Sequence, residues 1–158
     1  MIFRILFLFQ KIYFGQHHGY HTITSKFGNR ISPITKKISS HSGIDIGAEE
    51  GSLIYSASNG TVSFIGFNGA NGYSIHIISE NFTFIYGHVS PNFIVNNKDK
   101  IYKRPSYSEK LVQNMCQQLL IIHILILHGK STNGSTTGPH LHFSIKKDGK
   151  AVNPLEYF

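Results

Sequence analysis

Two short histidine patterns bring together side chains that commonly bind metal ions. His41 and Asp45 are four positions apart in HSGID, and His140 and His142 are two positions apart in PHLHF. Both segments alternate in hydrophobicity, which predicts strands, and residues two or four apart on a strand share one face. If the two strands are neighbours, His41, Asp45 and one histidine of the second pair can meet at a point.

This combination of residue types predicts a single catalytic zinc site. Zinc accepts two neutral imidazoles and one carboxylate in catalytic sites, where a further position stays open for water. The ion acidifies that water and polarises a carbonyl group, which is the chemistry of hydrolysis. Either histidine pair alone is a weak signal, because such pairs are more often surface or core residues. Their occurrence together in one chain is more specific.

Short strands separated by turns are expected to position these residues. The runs of β-type residues are 41–46, 53–56, 61–64, 73–78, 82–86 and 139–145. Glycine and Asn-Gly turns separate them, and Asp148 with Gly149 predicts a hairpin turn near the end. Strands of this length and spacing predict a mainly β fold, with antiparallel sheet arranged as a sandwich or a partial barrel.

Composition limits both the fold and the partners. The chain has 158 residues, 41% hydrophobic and 15% charged, which suits one folded domain rather than a disordered chain. The one cysteine, Cys116, excludes an internal disulfide framework. A net charge of +7 favours polyanionic partners, such as nucleic acid, anionic lipid or the polymers of a cell wall. The basic residues scatter through loops without interleaved aromatic residues, so no nucleic-acid partner is expected.

Three segments together resemble the lysostaphin-type zinc endopeptidases, which cleave peptide cross-links of bacterial peptidoglycan. The segments are HSGID at 41–45, YGHVS at 86–90 and TGPHLHF at 137–143. FGNRISPIT resembles the lead-in of that family, and IKKDGKAVNP resembles its closing hairpin. The resemblance covers residues 19–104 and 130–158. It implies the antiparallel β fold of that peptidase domain, with an active-site groove on one sheet.

The resemblance also implies a role for each site residue. His41, Asp45 and His142 correspond to the ligands of one Zn²⁺, and His88 and His140 correspond to two histidines beside the metal. We expect His140 to be the general base for the activated water and His88 to hydrogen-bond the water or the developing oxyanion. The sequence also allows the two roles to be exchanged.

The implied function is that of a secreted bacterial hydrolase of the cell wall, a zinc metalloendopeptidase acting as a monomer outside the cell or in the envelope. Glycyl-glycine and D-alanyl-diaminopimelate cross-links are both cleaved within the family, and the choice between them stays open. The alternative is a catalytically silent or decayed relative that binds the wall or activates another hydrolase. Such relatives typically lose the ligands, whereas all five positions are occupied here.

The beginning of the chain is not expected to belong to the peptidase domain, which we predict over residues 19–158. Residues 2–9, IFRILFLF, are shorter than a membrane span of about 20 residues. They also lack a clear small-residue cleavage site, so neither a signal peptide nor a stable membrane span is predicted. Residues 1–18 are therefore interpreted as a poorly ordered segment or a remnant. A second metal site at His17, His18 and His21 is less favoured than ordinary surface histidines.

Residues 104–127 depart from the family pattern. They read RPSYSEKLVQNMCQQLLIIHILIL, where the resemblance implies a strand, a glycine turn and a polar loop. Permitted codons for 104–109, shifted by one base, and for 110–127, shifted by one further base, can encode that expected pattern. We therefore predict an out-of-frame segment that three single-base insertions would restore. Local and global preferences then conflict, which predicts poor folding of this stretch and allows an inactive chain with every ligand present.

Resequencing of the gene tests the frame-shift prediction. The expected result is a set of codons for 104–127 that regenerate the glycine turn and polar loop when the three bases are restored. Codons that cannot be shifted into that pattern, in a clean read, would refute it.

Overall fold

The fold was derived from a computed structural model that describes residues 22–32, 34–102, 124–125 and 138–157. As predicted, these residues are mainly antiparallel β structure. The strands are β1 (Ile23–Ser25), β2 (Gly28–Ile31), β3 (Ile38–His41), β4 (Ile44–Gly47), β5 (Leu53–Ile54), β6 (Gly60–Phe67), β7 (Tyr73–Ser79), β8 (Phe82–Gly87), β9 (Lys100–Ile101), β10 (Ile124–Leu125), β11 (His140–Lys147) and β12 (Lys150–Val152). Two short 3-10 segments span Gly69–Asn71 and Pro154–Glu156.

One large antiparallel sheet contains most of the strands. Its order is β1-β4-β11-β8-β7-β6-β9, and β12 pairs with the second half of β11. The pairs β2–β3 and β5–β10 form two separate two-stranded sheets. Among the described residues, no helix has the length and hydropathy needed to cross a membrane.

The hydrophobic core lies against one face of the large sheet. Ile44, Ile46, Leu141 and Phe143 alternate along β4 and β11 and are all buried in it. Residues between them point to the opposite face, because successive side chains on a strand alternate. The same alternation that fills the core therefore presents polar residues of β4 and β11 together on the other face.

The prediction of one strand over residues 41–46 is wrong, because the chain bends between His41 and Ile44. Gly43 lies at this bend and passes directly against β11. A Cβ atom added there would come within 2.4 Å of the Phe143 carbonyl oxygen and 2.7 Å of the Ser144 Cβ. Because of this bend, β3 pairs with β2 in a two-stranded sheet, whereas β4 belongs to the large sheet.

The other predicted elements differ mainly in length. The run 53–56 shortens to the two residues of β5, while the run 61–64 extends to β6, which pairs with β7 on one side and β9 on the other. Asp148 and Gly149 form the predicted turn, with φ of 49° and 78°, between β11 and β12. Residues 1–18 lie outside the described residues. So does the predicted out-of-frame segment, apart from β10, which pairs with β5.

His76 on β7 is half-buried and packs against Phe64, with ring centroids 4.7 Å apart and ring planes tilted by 40°. Burial, with a smaller effect of Lys146, lowers the pKa of His76 from 6.5 to about 4. Above the unfolded pKa both states are neutral. Between pH 6.5 and 4 the unfolded chain binds a proton that the folded chain does not, so stability falls as the pH falls.

We therefore predict that His76→Gln reduces the loss of stability on acidification. With solvent screening of a half-exposed group, the effect should be about 1–2 kcal/mol between neutral and mildly acidic pH. Urea unfolding of both proteins at several pH values measures it. Parallel pH dependences of the free energy of unfolding in the two proteins would contradict the prediction.

Candidate metal centre

The strand register brings the two predicted metal-binding pairs together. Asp45 on β4 lies directly opposite His142 on β11, and His142 lies opposite Gly87 on β8. Directly opposed residues of antiparallel strands share a face, so the Asp45 carboxylate and the His142 ring point the same way, away from the core. His41 reaches the same place from the last position of β3.

The three side chains converge through one atom each. Asp45 Oδ1 lies 2.9 Å from His142 Nδ1 and 3.2 Å from His41 Nε2, and the two nitrogens are 3.1 Å apart. All three residues are buried. The group therefore has the composition and the close approach of a metal-binding site.

Hydrogen bonds around the group determine which atoms carry protons. His41 Nδ1–H donates to the Lys26 carbonyl at 2.9 Å, which leaves a lone pair on Nε2 of the neutral ring. That lone pair faces a carboxylate oxygen and the second imidazole nitrogen. A single proton on His142 Nδ1 can serve only one of these neighbours, so the cluster has more acceptors than donors.

Electrostatics agree with an anionic, proton-poor cluster. Burial alone would raise the pKa of Asp45, but the hydrogen bond from His142 and the adjacent His41 ring hold it well below its usual range. Burial also lowers the pKa of His142, in spite of the adjacent carboxylate. A neutral histidine and an ionised carboxylate are the forms that bind metal.

The donor set fits zinc. Ligands at about 2.0–2.2 Å in tetrahedral geometry are separated from one another by roughly 3.3–3.6 Å. The observed separations are a few tenths of an ångström shorter, so small side-chain movements would accommodate an ion. A cation at this point would satisfy all three lone pairs at once. His142 Nε2, which has no hydrogen-bond partner among the described residues, would then carry the proton of that ring.

His140 and His88 lie beside this group. His140 Nδ1–H donates to the Gly138 carbonyl at 2.7 Å, and its Nε2 lies 3.7 Å from Asp45 Oδ1. The lone pair of a neutral His140 is therefore on the nitrogen that faces the group. The buried His88 ring packs edge-on against the His140 ring, with centroids 4.7 Å apart, and lies 6.0 Å from that of His142.

Arg30 also borders the site, although the sequence did not indicate a role for it. Its Nη1 lies 3.5 Å from Asp45 Oδ2 and donates to Ser25 Oγ at 2.6 Å. The two carboxylate oxygens thus have separate partners, because Oδ1 faces the histidines and Oδ2 faces the guanidinium. The lead-in segment FGNRISPIT contains Arg30, but the contact depends on the pairing of β2 with β3, which the sequence does not reveal.

The remaining histidines do not join this group. His76 lies on β7 beside Phe64 and Ser74, in the environment that lowers its pKa. His17, His18 and His21, like His123 and His128, lie outside the described residues. Within the described part of the chain, one cluster has the composition of a metal site.

An antiparallel β fold that holds a His-Asp-His cluster, with two further histidines alongside, has the architecture of a metallopeptidase domain. Residues 39–105 match the profile of Peptidase family M23. This match confirms the resemblance stated from the sequence.

Comparison with curated proteins agrees with this family. The chain is 28% identical over 136 residues to the DD-carboxypeptidase/endopeptidase Mpg of Neisseria meningitidis serogroup B. The match covers 86% of this chain but 27% of that protein. The chain thus spans about a quarter of the length of this relative.

Solved structures show the same fold. Csd3 of Helicobacter pylori superposes with a TM-score of 0.62 at 31% identity, over 89% of this chain and 33% of that chain. The catalytic domain of lysostaphin from Staphylococcus simulans also gives a TM-score of 0.62, at 20% identity, over 87% of this chain and 91% of that domain. The second likeness concerns the fold alone.

The geometry predicts different effects for the two histidines of β11. His142→Ala should lower zinc affinity by more than about 100-fold, because loss of an outer partner alone costs about 10–100-fold. His140→Ala should keep the metal, because its Nδ1 bonds to a carbonyl and its Nε2 lies outside the three-atom group. Metal analysis and zinc titration of the two purified variants measure this. Equal zinc loss in both would contradict the ligand assignment.

Proposed function

We propose that this chain is a zinc-dependent metalloendopeptidase that cleaves peptide cross-links of bacterial peptidoglycan. The observation that carries the proposal is the meeting of His41 Nε2, Asp45 Oδ1 and His142 Nδ1, each within 3.2 Å of the others. These three residues are the proposed ligands of one Zn²⁺. In such sites zinc supplies acidification of water and polarisation of the scissile carbonyl.

His140 is the proposed general base. Its Nδ1–H is held by the Gly138 carbonyl, so Nε2 of the neutral ring is ready to accept a proton on the side of the ligand group. Proximity favours this role, since Nε2 lies 3.7 Å from Asp45 Oδ1. The hydrogen bond to a backbone carbonyl also fixes the ring orientation through proton uptake and release.

His88 is the proposed partner of the reacting oxygen. Its ring lies edge-on to the His140 ring, with centroids 4.7 Å apart, and its centroid is 6.0 Å from that of His142. A donor there stabilises negative charge that develops on the substrate carbonyl oxygen. Burial of His88 excludes water from it and strengthens this interaction.

The proposed substrate and location rest on the family and on charge. The relative from Neisseria is named a carboxypeptidase and endopeptidase, which indicates peptide-bond cleavage in related proteins. Peptidoglycan lies outside the bacterial membrane, so we propose an extracellular or envelope location. The net charge of +7 favours approach to a wall that carries anionic polymers. A monomer suffices for this chemistry, because one chain provides every proposed ligand and both accessory histidines.

The alternative is a silent or decayed relative that binds the wall or activates another hydrolase. The described site does not favour it, because no proposed ligand has been replaced and the three converge. This alternative still has to be tested, because residues 104–127 depart from the family pattern. Binding without cleavage would be its signature.

Digestion of purified peptidoglycan tests the proposal. The zinc-loaded chain should release fragments from sacculi with direct diaminopimelate links or from sacculi with glycyl bridges. Each peptide bond that is hydrolysed adds the mass of one water to the two fragments together. His140→Ala, with its metal intact, should lower the rate by about 100-fold to 10,000-fold, which is the usual contribution of a general base. Mass spectrometry of the fragments identifies the bond. A folded, zinc-loaded chain that binds both sacculi and cleaves neither would establish the alternative.

A further inference from the structure

His88 has an unusual backbone conformation. Its φ is +60°, in the left-handed region that residues other than glycine rarely adopt. Strain of this kind persists where surrounding contacts enforce it. The conformation matters for the ring, because φ at His88 fixes the direction in which its Cβ leaves the backbone at the end of β8.

The contact that enforces it comes from the turn between β6 and β7. The His88 N–H donates to the Asn71 carbonyl at 2.8 Å, and the next N–H, of Val89, donates to the Tyr73 carbonyl at 3.0 Å. Gly87 makes room for this approach. A Cβ added to Gly87 would lie 3.0 Å from the same Asn71 carbonyl oxygen and 3.3 Å from the His142 Cβ.

The turn itself is closed by its own hydrogen bonds. Within residues 68–72, Asn71 N–H donates to the Asn68 carbonyl and Gly72 N–H to the Gly69 carbonyl, both at 3.0 Å. Asn68 N–H donates back to the Gly72 carbonyl at 2.8 Å. Gly72 has φ 62° and ψ −148°, a combination that essentially only glycine adopts. The position of the Asn71 carbonyl therefore depends on a glycine at 72.

We propose that the 68–72 turn positions His88, with the backbone carbonyl of Asn71 as the contacting group and Gly72 as the residue that makes its placement possible. Asn71 and Gly72 are positioning residues, because they act on the reaction only through His88. Residues 68–72, NGANG, thereby gain a function that a glycine-rich hairpin loop does not by itself suggest. Its consequence for turnover rests on the proposed hydrolase function.

The first variant is Gly72→Ala, which disfavours the backbone conformation that holds the Asn71 carbonyl. The direct readout is the ring contact between His88 and His140, measured as a nuclear Overhauser effect in the zinc-loaded, histidine-labelled full chain. We expect this contact and the exchange protection of the His88 amide to be lost. Zinc content should stay at the level of the unaltered chain, because His88 is not a proposed ligand.

Kinetics separate positioning from general damage. Gly72→Ala should lower kcat on peptidoglycan by about 100-fold with little change in KM, as expected when a group is displaced by about 1 Å. Gly69→Ala is a milder second variant, because φ is +50° but an added Cβ meets nothing within 4 Å. It should give a smaller loss of the same kind and remains informative if Gly72→Ala fails to fold.

Two controls are matched to these variants. Gly51→Ala brings the same kind of strain, at φ +82° with open space around the Cβ, to an exposed turn between β4 and β5. It should change neither the ring contact nor kcat. Asn71→Ala removes the side chain but keeps the carbonyl, so the ring contact should persist.

The outcomes are distinct. Loss of the ring contact and of kcat in Gly72→Ala, with zinc retained, supports the proposal. An unchanged ring contact in that folded variant overturns it, and so does zinc loss that parallels the loss of kcat. If the unaltered chain cleaves no peptidoglycan, the proposed function fails, while the ring contact still decides whether the turn positions His88.

Discussion

The pairing register of β11 between β4 and β8 is the constraint on which the rest of the site depends. It sets His142 opposite Asp45 on one side and Gly87 on the other. Since side chains alternate along a strand, a slip of one residue would turn His142 into the core and Phe143 out of it. The hydrophobic face of these strands thus fixes the register, and the register places the metal-binding residues. Fold stability and the placement of Asp45 and His142 are therefore two consequences of one pattern, whereas His41 is supplied by β3 of a separate two-stranded sheet.

The metal-binding residues bring several lone pairs together at a place where few hydrogen-bond donors are available. Asp45 is held ionised by its histidine partners, and burial keeps His142 neutral. Burial of such a cluster without a cation would be costly, because a buried acceptor without a donor pays its full desolvation penalty. Metal binding would remove that cost, so we expect zinc to contribute to folding as well as to chemistry. Arg30 moderates the charge from the outer side, where its guanidinium faces the second oxygen of Asp45.

The sequence revealed the participants of the site more completely than their arrangement. Alternating runs and Asn-Gly turns predicted antiparallel β structure. The spacing of the histidine pairs predicted that His41 and Asp45 meet one histidine of the second pair, and the family resemblance indicated His142. The bend at Gly43 was missed, because it arises from close approach to β11, a tertiary contact without a local signal. The same limit applies to Arg30, whose partner lies on another strand. The positive φ of His88 was also missed, since left-handed backbone at a histidine follows from the hydrogen bond to Asn71 rather than from its own preference.

The location of the unusual segment bears on what a frame shift would damage. The contacts shown for His41, Asp45 and His142 come from residues that precede 103 or follow 137. The two described residues inside the segment, Ile124 and Leu125, pair with β5 in a sheet separate from the two that carry the proposed ligands. Among the described residues, the contacts that hold the metal cluster therefore lie outside residues 104–127. An out-of-frame segment would act on folding yield or on contacts with substrate before it acted on metal binding. A chain that loads zinc fully and still turns over slowly is the combination that this separation leads us to expect.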